Sequence, residues 1–385
     1  MRRYFVTLSF ITFSFLLIFH AFAKPVEQES HYSFIRKDNT DGLVNNQTTC
    51  IYKDSRGFVW IGSSAGLSRY DGTHFKNFIH EENNDNSLID NYITSIQEDA
   101  NGVLWIEMRW EYILYDVEKE RFMEITEVLG EFVKNKVVDR VYIDHHKKIW
   151  VMFEGETIFK KFDPNSYDFI NPWPRNETSN MLEFYHNGKF FYVLSANGEL
   201  ECYDDSSFEL IFGTNWLNSR LGGDSLSVNL FVDDKLNVWV YGNNNGIYHY
   251  KPAANKWTHF TTGNDQIELT SNLINKIIQD KSGNIWIGTD HGGIDIYQPY
   301  EQQTISLYHQ PENPKSISQN SITDLTVDED GIVWIGTYKN GFCYYHESIH
   351  KFPHIRHLTS EPESLPYNDV NCFAEDDSGN LWIGT

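Results

Sequence analysis

Apolar and polar residues alternate with a period of two along most of the chain, and short turns rich in Asp and Gly interrupt the alternation. This period is typical of β-strands, and it differs from the 3.6-residue period of a helical repeat. Around Trp286 the pattern predicts four strands, lettered A to D, at residues 273–278, 284–288, 293–297 and 304–308. Four strands in one unit are the composition of a propeller blade.

One segment of about ten residues recurs along the sequence with an Asp six residues before a Trp. Its seven tryptophans are Trp60, Trp105, Trp150, Trp239, Trp286, Trp334 and Trp382. They are separated by 45, 45, 89, 47, 48 and 48 residues, and 89 is close to two periods. We therefore place a further copy without its Trp at residues 187–191, with Phe191 in the Trp position. A period of this size together with strand periodicity predicts a propeller.

The fold class predicted is therefore all-β, a β-propeller of about seven four-stranded blades over residues 31–356. Seven units of this period use roughly 320 residues as one domain. Residues 31–37 read as an extra strand, which we expect to close the ring by joining a late blade. An eighth unit begins at Asn368 and stops after its second strand, so residues 357–385 are predicted to start a further blade or a second propeller in a longer protein.

The recurring Asp and Trp have structural interpretations. Asp280 and its equivalents are predicted to bond to the amides of their own turn, and Gly283 to supply a positive φ there. Trp286 and its equivalents keep a fixed place in strand B, which favours core packing over stacking on a sugar. Neither set is therefore expected to form a functional site.

The N-terminus has the layout of an export signal. Three residues, Met1-Arg2-Arg3, precede an apolar run over residues 4–22, and Ala21-Phe22-Ala23 offers a small-residue cleavage site. We expect residues 1–23 to be a signal peptide, with an uncleaved anchor as the alternative. Export would place the rest of the chain in the periplasm.

Charge and cysteine content narrow the range of partners. The formal net charge of -23 argues against nucleic acid or another polyanion as a general partner. The four cysteines permit disulfides in an oxidising compartment. Cys50 and Cys372 occupy the same strand A position in different units, however, so we favour small buried side chains.

The connections between strands differ in variability, which suggests where a ligand would bind. The A–B turns have nearly the same sequence in every unit, whereas the B–C and D–A connections vary in sequence. In a four-stranded blade these two variable connections should lie on the same face of the propeller. Trp110 beside Arg109 suits a sugar ring with its hydroxyl or carboxylate groups, although packing under the neighbouring D–A connection is an equal alternative. The ligand-binding candidates are Arg109, Trp110, Trp173, Trp216, Asn244, Asp290, His291, Tyr338 and Lys339.

Other chemistry is not indicated. His145-His146 is a dipeptide in a turn position, and adjacent residues of a strand point to opposite faces, so we expect no metal site there. The sequence contains no phosphate-binding glycine loop and no nucleophile elbow. We therefore predict no catalytic residue and no cofactor.

The layout Asp-x-x-Gly-x-x-Trp-Ile-Gly-Thr, followed by Gly-x-x-x-Tyr as at residues 293–297, resembles the two-component-regulator propeller repeat. The lead-ins at residues 86–91 and 316–320 resemble those in sensor ectodomains of hybrid two-component systems from Bacteroidetes. The sequence departs from the pattern at Glu107, Lys147 and Leu236 and throughout the fourth unit. The resemblance implies a periplasmic sensor that dimerises in its full-length form and signals to a downstream histidine kinase.

Three functions remain open on the sequence. The first is a sensory module that binds an oligosaccharide, with no direct contact to nucleic acid and with membrane attachment only through a downstream segment. The second is a secreted sialidase-like glycosidase, although sialidase Asp-boxes place the Asp five residues before the aromatic residue and here the interval is six. The third is a protein-interaction scaffold, because the propeller fold alone does not determine function.

Overall fold

The structure, a computed structural model, describes residues 32–109, 111–174, 180–220, 228–242, 244–263, 267–348, 357 and 364–385. Seven antiparallel four-stranded sheets form the blades of a propeller, and a two-stranded hairpin follows them. The predicted all-β propeller of about seven blades is confirmed. The expected signal peptide, residues 1–23, lies outside the described residues.

The strands are numbered in chain order. The first is β1 (Ile35–Lys37). Blade one contains β2 (Thr48–Lys53), β3 (Val59–Ser63), β4 (Gly66–Tyr70) and β5 (Phe75–Phe78); blade two contains β6 (Ile93–Glu98), β7 (Val103–Met108), β8 (Glu111–Asp116) and β9 (Arg121–Met123); blade three contains β10 (Val138–Ile143), β11 (Ile149–Phe153), β12 (Lys160–Asp163) and β13 (Asp168–Ile170). Blade four contains β14 (Met181–His186), β15 (Phe190–Ser195), β16 (Leu200–Asp204) and β17 (Leu210–Thr214); blade five contains β18 (Val228–Val232), β19 (Val238–Gly242), β20 (Ile247–Lys251) and β21 (Lys256–Phe260). Blade six contains β22 (Ile274–Gln279), β23 (Ile285–Thr289), β24 (Ile294–Gln298) and β25 (Gln303–Leu307); blade seven contains β26 (Ile322–Val327), β27 (Val333–Thr337) and β28 (Phe342–Tyr345), and the final hairpin contains β29 (Cys372–Glu375) and β30 (Leu381–Gly384).

Helical structure in the described residues is confined to short connections. The α-helix α1 (Thr126–Leu129) and the 3-10 helix Glu131–Asn135 lie between blades two and three, and a second 3-10 helix, Pro252–Ala254, lies inside blade five. Leu129 and Val133 of the first two are buried against Trp105 and the third blade. These turns of helix therefore cap an interface between blades.

The Asp of each repeat closes its own A–B turn, as the sequence predicted. In blade six, Asp280 Oδ1 accepts hydrogen bonds from the amides of Ser282 and Asn284, each at 2.9 Å. Its second oxygen, Oδ2, accepts the Nε1–H of Trp286 at 2.8 Å. The interval of six residues therefore joins the turn to the buried indole, and a buried indole N–H without a partner would be unfavourable.

The turn glycine supplies the positive φ that was expected, with Gly283 at φ 85°. In the two turns that lack this glycine, Lys147 and Leu236 adopt the same left-handed conformation, at φ 60° and 62°. A non-glycine residue pays about 1–2 kcal/mol for that conformation. The turn geometry is therefore set by the Asp and the neighbouring strands, even where the residue disfavours it.

Blade four corrects one prediction. Its strand pairing sets Tyr185 opposite Tyr192 and His186 opposite Phe191. In blade one the corresponding pairs are Tyr52 with Trp60 and Lys53 with Val59. Tyr192 therefore occupies the Trp position, and the placement of Phe191 there was wrong. The A–B turn of this blade is one residue shorter, which moves the register by one.

The N-terminal strand closes the ring. Strand β1 pairs with β28, so the first strand that the structure describes is the outer strand of blade seven. This confirms the expectation that the extra strand joins a late blade. The final hairpin β29–β30 stands apart from these seven sheets and repeats the Asp to Trp bond, at 3.0 Å between Asp376 and Trp382.

No disulfide occurs among the described residues, and the four cysteines are free. Cys50 is buried, as predicted, but Cys372 in the equivalent position is exposed. The prediction for Cys372 was wrong because no described strand outside the hairpin pairs with it, and the side chain is left exposed.

Candidate ligand-binding site

The two ends of the propeller carry different connections. We call the end with the B–C and D–A connections the loop face and the end with the A–B and C–D turns the turn face. In blade six the B–C connection at residues 290–293 lies on the loop face, and the C–D turn at residues 299–302 lies on the turn face. All nine predicted binding residues belong to loop-face connections, and the structure describes eight of them.

Four of the predicted residues are accessible on two adjacent blades. Asp290 and His291 form the B–C connection of blade six, with His291 Nδ1 3.0 Å from Asp290 Oδ2 and 82% of the imidazole side chain exposed. Tyr338 and Lys339 hold the same position in blade seven, where the Lys339 ammonium lies 5.0 Å from the centre of the exposed Tyr338 ring. We call these four residues the six–seven patch. It offers an aromatic face, a carboxylate, a cation and an imidazole to solvent.

The positions of the patch are fixed by backbone contacts below it. The amide of Tyr338 donates to the carbonyl of Ser321, and the amide of Lys339 donates to Gln319 Oε1 at 2.8 Å. His291 adopts φ 66°, a left-handed conformation that is uncommon for residues other than glycine but occurs more often for Asn, Asp and His. The connections therefore have defined backbones, and their side chains remain available.

Two more candidates are exposed elsewhere on the loop face. Arg109 in blade two packs its guanidinium 5.0 Å from the centre of the Tyr92 ring. Asn244 in blade five is exposed at φ 57°. Trp110, the remaining candidate of blade two, lies outside the described residues.

Trp173 and Trp216 have packing roles that the sequence did not reveal. Trp173 is only 5% exposed, donates its Nε1–H to the Phe159 carbonyl at 2.7 Å and packs against Trp150. Trp216 is stacked in parallel on Trp257 at 5.0 Å, and the Arg220 guanidinium covers it at 3.6 Å. Both rings are occupied by protein groups, so neither presents a free face for a ligand. The prediction that they line a binding surface does not agree with their packing.

Two ion pairs join the innermost strands of neighbouring blades. Arg140 of blade three lies 3.1 Å from Glu183 of blade four, and Lys276 of blade six lies 3.5 Å from Asp324 of blade seven. Burial raises the pKa of the Glu183 carboxyl, and the Asp324 carboxylate raises the pKa of Lys276. Asp324 also accepts the amide of Ile51 in blade one at 2.8 Å. Because every partner is a protein group, we read these pairs as links between blades.

His146, His186 and Asp205 form a cluster that sequence reasoning missed. Their side-chain donor atoms lie within 4.8 Å of one another, a spacing compatible with a metal ion. The amide of His145 donates to His186 Nδ1 at 3.2 Å, so this nitrogen carries a lone pair and Nε2 carries the proton of the neutral ring. A protonated Nε2 has no free lone pair and cannot ligate a metal. This atom of His186 lies 3.4 Å from Asp205 Oδ1.

The repeat explains why a histidine stands at this position. His186 is the last residue of strand A in blade four, and Glu98 and Gln279 are the last residues of strand A in blades two and six. Glu98 accepts the amide of Ser55 at 3.1 Å, and Gln279 accepts the amide of Asp234 at 2.8 Å. Each of these side chains therefore fastens its blade to the A–B turn of the preceding blade. His186 does the same with His145.

This role predicts a pH dependence of stability. Burial lowers the pKa of His186 to about 4; His146 and His145 lower it further, and Asp144 and Asp205 act in the opposite direction. A histidine in the unfolded chain has a pKa of about 6.5. Below that pH the unfolded chain therefore binds a proton at this position, whereas His186 in the folded chain stays neutral until the pH approaches its lower pKa. Stability should be full above pH 6.5 and fall toward pH 4, by at most about 1.4 kcal/mol per pH unit from this group.

Urea denaturation between pH 7.5 and 4.5 measures the effect. His186→Gln should flatten the profile, because the glutamine carbonyl can accept the His145 amide as Gln279 accepts the Asp234 amide. His74→Gln is the matched control, since His74 has an 86% exposed side chain. Equal slopes for wild type and His186→Gln would show that another group controls acid stability.

Comparison with known proteins identifies the repeats. The family model described as "Two component regulator propeller" matches residues 42–65, 87–106, 268–291, 316–339 and 364–385. These segments fall in blades one, two, six and seven and in the final hairpin. Blades three to five, where two turn glycines and one Trp are replaced, carry no match.

One solved structure shows the same fold. The chain is similar, at 20% identity and a TM-score of 0.58, to an extracellular domain assigned to a hybrid two-component system of B. thetaiotaomicron, with 92% of this chain and 52% of that chain covered. An extracellular domain assigned to a one-component system of the same organism matches at 18% identity and a TM-score of 0.34, covering 88% of this chain and 52% of that one. The chain thus spans about half the length of the structures it matches.

No match was found among curated proteins. Within the described residues, no helix has the length and apolar character needed to span a bilayer.

Proposed function

We propose, from the premise that this chain carries two-component regulator propeller repeats, that it is the extracytoplasmic ligand-sensing part of a two-component sensor. The repeats and the extracellular origin of the structural neighbours support a sensor module. The proposed location is the periplasm, with the full-length protein held in the inner membrane by a segment outside this chain. The proposed output is a histidine kinase in that longer protein, which would act as a homodimer.

The ligand we propose is an oligosaccharide, and the observation that carries this choice is the six–seven patch. The Tyr338 ring is 44% exposed and offers an apolar face, with the Lys339 ammonium 5.0 Å from its centre. Asp290 and His291 occupy the same two connection positions in the neighbouring blade and add a carboxylate and an imidazole. Sugars present apolar ring faces and hydroxyl edges together, so a site needs both kinds of group. The B–C connections of adjacent blades supply them side by side.

Signalling requires a difference in affinity between two states of the sensor. An oligosaccharide that bound both states equally would shift no equilibrium, however tight the complex. A site on two blades meets this requirement if the neighbouring domain contacts the same connections in one state only. Binding would then be reported and the glycan would be released unchanged.

Calorimetry of the full chain against a panel of glycan fragments tests the proposal. Tyr338→Ala and His291→Ala should each weaken binding by at least tenfold, because each removes a group that contacts the sugar directly. The turn face offers matched controls. Tyr300 is 69% exposed with the Lys235 ammonium 4.4 Å from its ring centre, and His74 Nδ1 lies 3.9 Å from Asp71 Oδ2.

Tyr300→Ala and His74→Ala should bind as wild type does. Unchanged affinity in both loop-face variants would remove the six–seven patch as the site. Hydrolysis of a fragment by the purified protein would contradict the sensor and favour a glycosidase.

A further inference from the structure

A cavity of about 500 Å³ opens on the turn face between blades five and six. Its walls include Trp239 and Phe260 of blade five and Ile285 and Tyr297 of blade six, with Ile267 from the connection between the blades. Polar side chains of the turns line the rest of it. The volume lies in the range of small-molecule sites, which combine apolar walls with a few placed polar groups.

The cavity replaces packing that neighbouring interfaces contain. Trp60 of blade one contacts Tyr115 of blade two at 5.4 Å between ring centroids, and Trp286 of blade six contacts Tyr345 of blade seven at 5.5 Å. Tyr297 holds the corresponding position in blade six, opposite Trp239. The ring contacts of Trp239 among the described residues are with His249 and Phe260 of its own blade. Trp239 and Tyr297 make no such ring contact among the described residues, and both line the cavity.

His249 lies in this wall with two unused nitrogens. It is 4% exposed, and within the described residues neither Nδ1 nor Nε2 has a hydrogen-bond partner. Burial and the Lys251 charge lower the pKa of His249 to about 3, so the ring is neutral at ordinary pH. It therefore offers one N–H donor and one acceptor. A buried polar group without a protein partner is uncommon, and a water molecule, an ion or a ligand can supply the missing hydrogen bond.

Three lysines line the cavity. Lys235, Lys251 and Lys256 form no ion pair among the described residues, although the chain carries a net charge of -23. The two aspartates of the cavity are already engaged. Asp233 accepts the Trp239 Nε1–H at 3.1 Å and the Asn237 side chain at 2.9 Å, and Asp234 accepts the Gln279 side chain at 2.9 Å. These donors are uncharged, so both carboxylates keep their charge, and three lysines against two aspartates leave the lining with a net charge of +1.

We propose that the cavity between blades five and six binds a small ring compound that carries one carboxylate. The ring would lie between Trp239, Phe260 and Tyr297, where a hydroxyl or ring oxygen meets His249. The carboxylate would face Lys251 and Lys256. This site is on the opposite face from the six–seven patch and does not depend on the function proposed for that patch.

Two sources could supply this chemistry, a sugar acid or an aromatic acid, and calorimetry separates them. The full chain is titrated with glucuronate and glucose, and with 4-hydroxybenzoate and 4-hydroxybenzyl alcohol. At least one carboxylate should bind saturably and at least tenfold more tightly than its neutral counterpart. Glucuronate alone would assign a sugar acid, and 4-hydroxybenzoate alone an aromatic acid.

Two variants locate the binding. His249→Leu should weaken it by at least tenfold; leucine stands at the same strand position in blade two, as Leu114, so a cooperative melt is expected. Lys251→Gln with Lys256→Gln should remove the preference for the carboxylate. The charge-matched control is Lys119→Gln with Lys134→Gln, whose side chains are 66% and 70% exposed.

Failure of both carboxylates to bind at millimolar concentration would overturn the proposal. So would affinity that is unchanged in both the His249 variant and the Lys251/Lys256 variant. Lys251 and Lys256 are exposed and are not part of the core, so their replacement should not prevent folding. The double lysine variant therefore tests whether the cavity binds the carboxylate even if His249→Leu does not fold.

Discussion

Replacing Trp286 with alanine should lower the free energy of unfolding by about 3–5 kcal/mol, the range for truncating a buried large aromatic side chain. Trp286 is 0% exposed and lies against Tyr345 and Tyr32, each at 5.5 Å between ring centroids. The change would leave a cavity between blades six and seven. It would also remove one of the two N–H donors to Asp280 Oδ2, at 2.8 Å, and leave the Asn284 side chain as the other at 2.9 Å.

The chain contains a matched control for this prediction. Trp382 has the same motif and the same bond to its Asp, at 3.0 Å, but its side chain is 67% exposed. Trp382→Ala should therefore cost less than about 1 kcal/mol, because little apolar area is lost. Chemical denaturation measures both. Similar losses for the two variants would mean that the Asp to Trp bond, rather than burial between blades, carries the stability.

The sequence was sufficient for the blades because one short motif encodes both a turn and a core residue. Strand periodicity, the turn Asp and the period of the Trp all agree, which is the condition for a reliable prediction from sequence. The bond from Asp280 to Trp286 was not anticipated. It explains why the interval of six residues recurs, since a change of interval would separate the carboxylate from the indole N–H. In blade four the interval is shorter and Tyr192 replaces Trp, so no indole N–H needs a partner.

The candidate site was less predictable, because exposure depends on neighbours that are distant in sequence. Tyr338 and Trp173 both look like aromatic residues without a strand role. Tyr338 is exposed, whereas Trp173 fills the interface between blades three and four beside Trp150 and Phe184. Whether such a ring is exposed or buried depends on how the neighbouring blade packs against it, and the repeat period of the sequence carries no information about that packing.

Aligning the repeats would not have singled out His249. Its strand C position pairs with the Trp position of strand B, where blades two and six carry Leu114 and Ile296. Blades one and three carry Arg69 and Lys161 there, so a polar residue at this position is common among the blades. The open volume beside it could not be inferred, because it depends on how far Tyr297 approaches from the next blade.

The ring depends on a single short strand for its closure. Strand β1 pairs with β28 through Ile35, Arg36 and Lys37. The Arg36 guanidinium donates to the carbonyls of Asn313 and Ser316, each at 2.8 Å, and so reaches the connection between blades six and seven. Phe34, just before the strand, is 4% exposed in the core of these two blades. Blade seven thus takes its outer strand from the beginning of the chain.

Removal of residues 1–37 should therefore cost more than about 5 kcal/mol, comparable to the whole stability of many domains. The loss combines the burial of Phe34 and Tyr32, the charge-assisted bonds of Arg36 and the exposure of the unpaired edge of β28. The control lacks residues 1–31 only and keeps Tyr32, Phe34 and β1. Circular dichroism and urea denaturation should show a cooperative transition for the control and a lost or much earlier one for the longer deletion. Equal transition midpoints would show that the other strands hold the seven blades in a ring without β1. Ring closure would then depend on the contacts between blades seven and one, such as the ion pair of Lys53 with Asp328 at 2.9 Å.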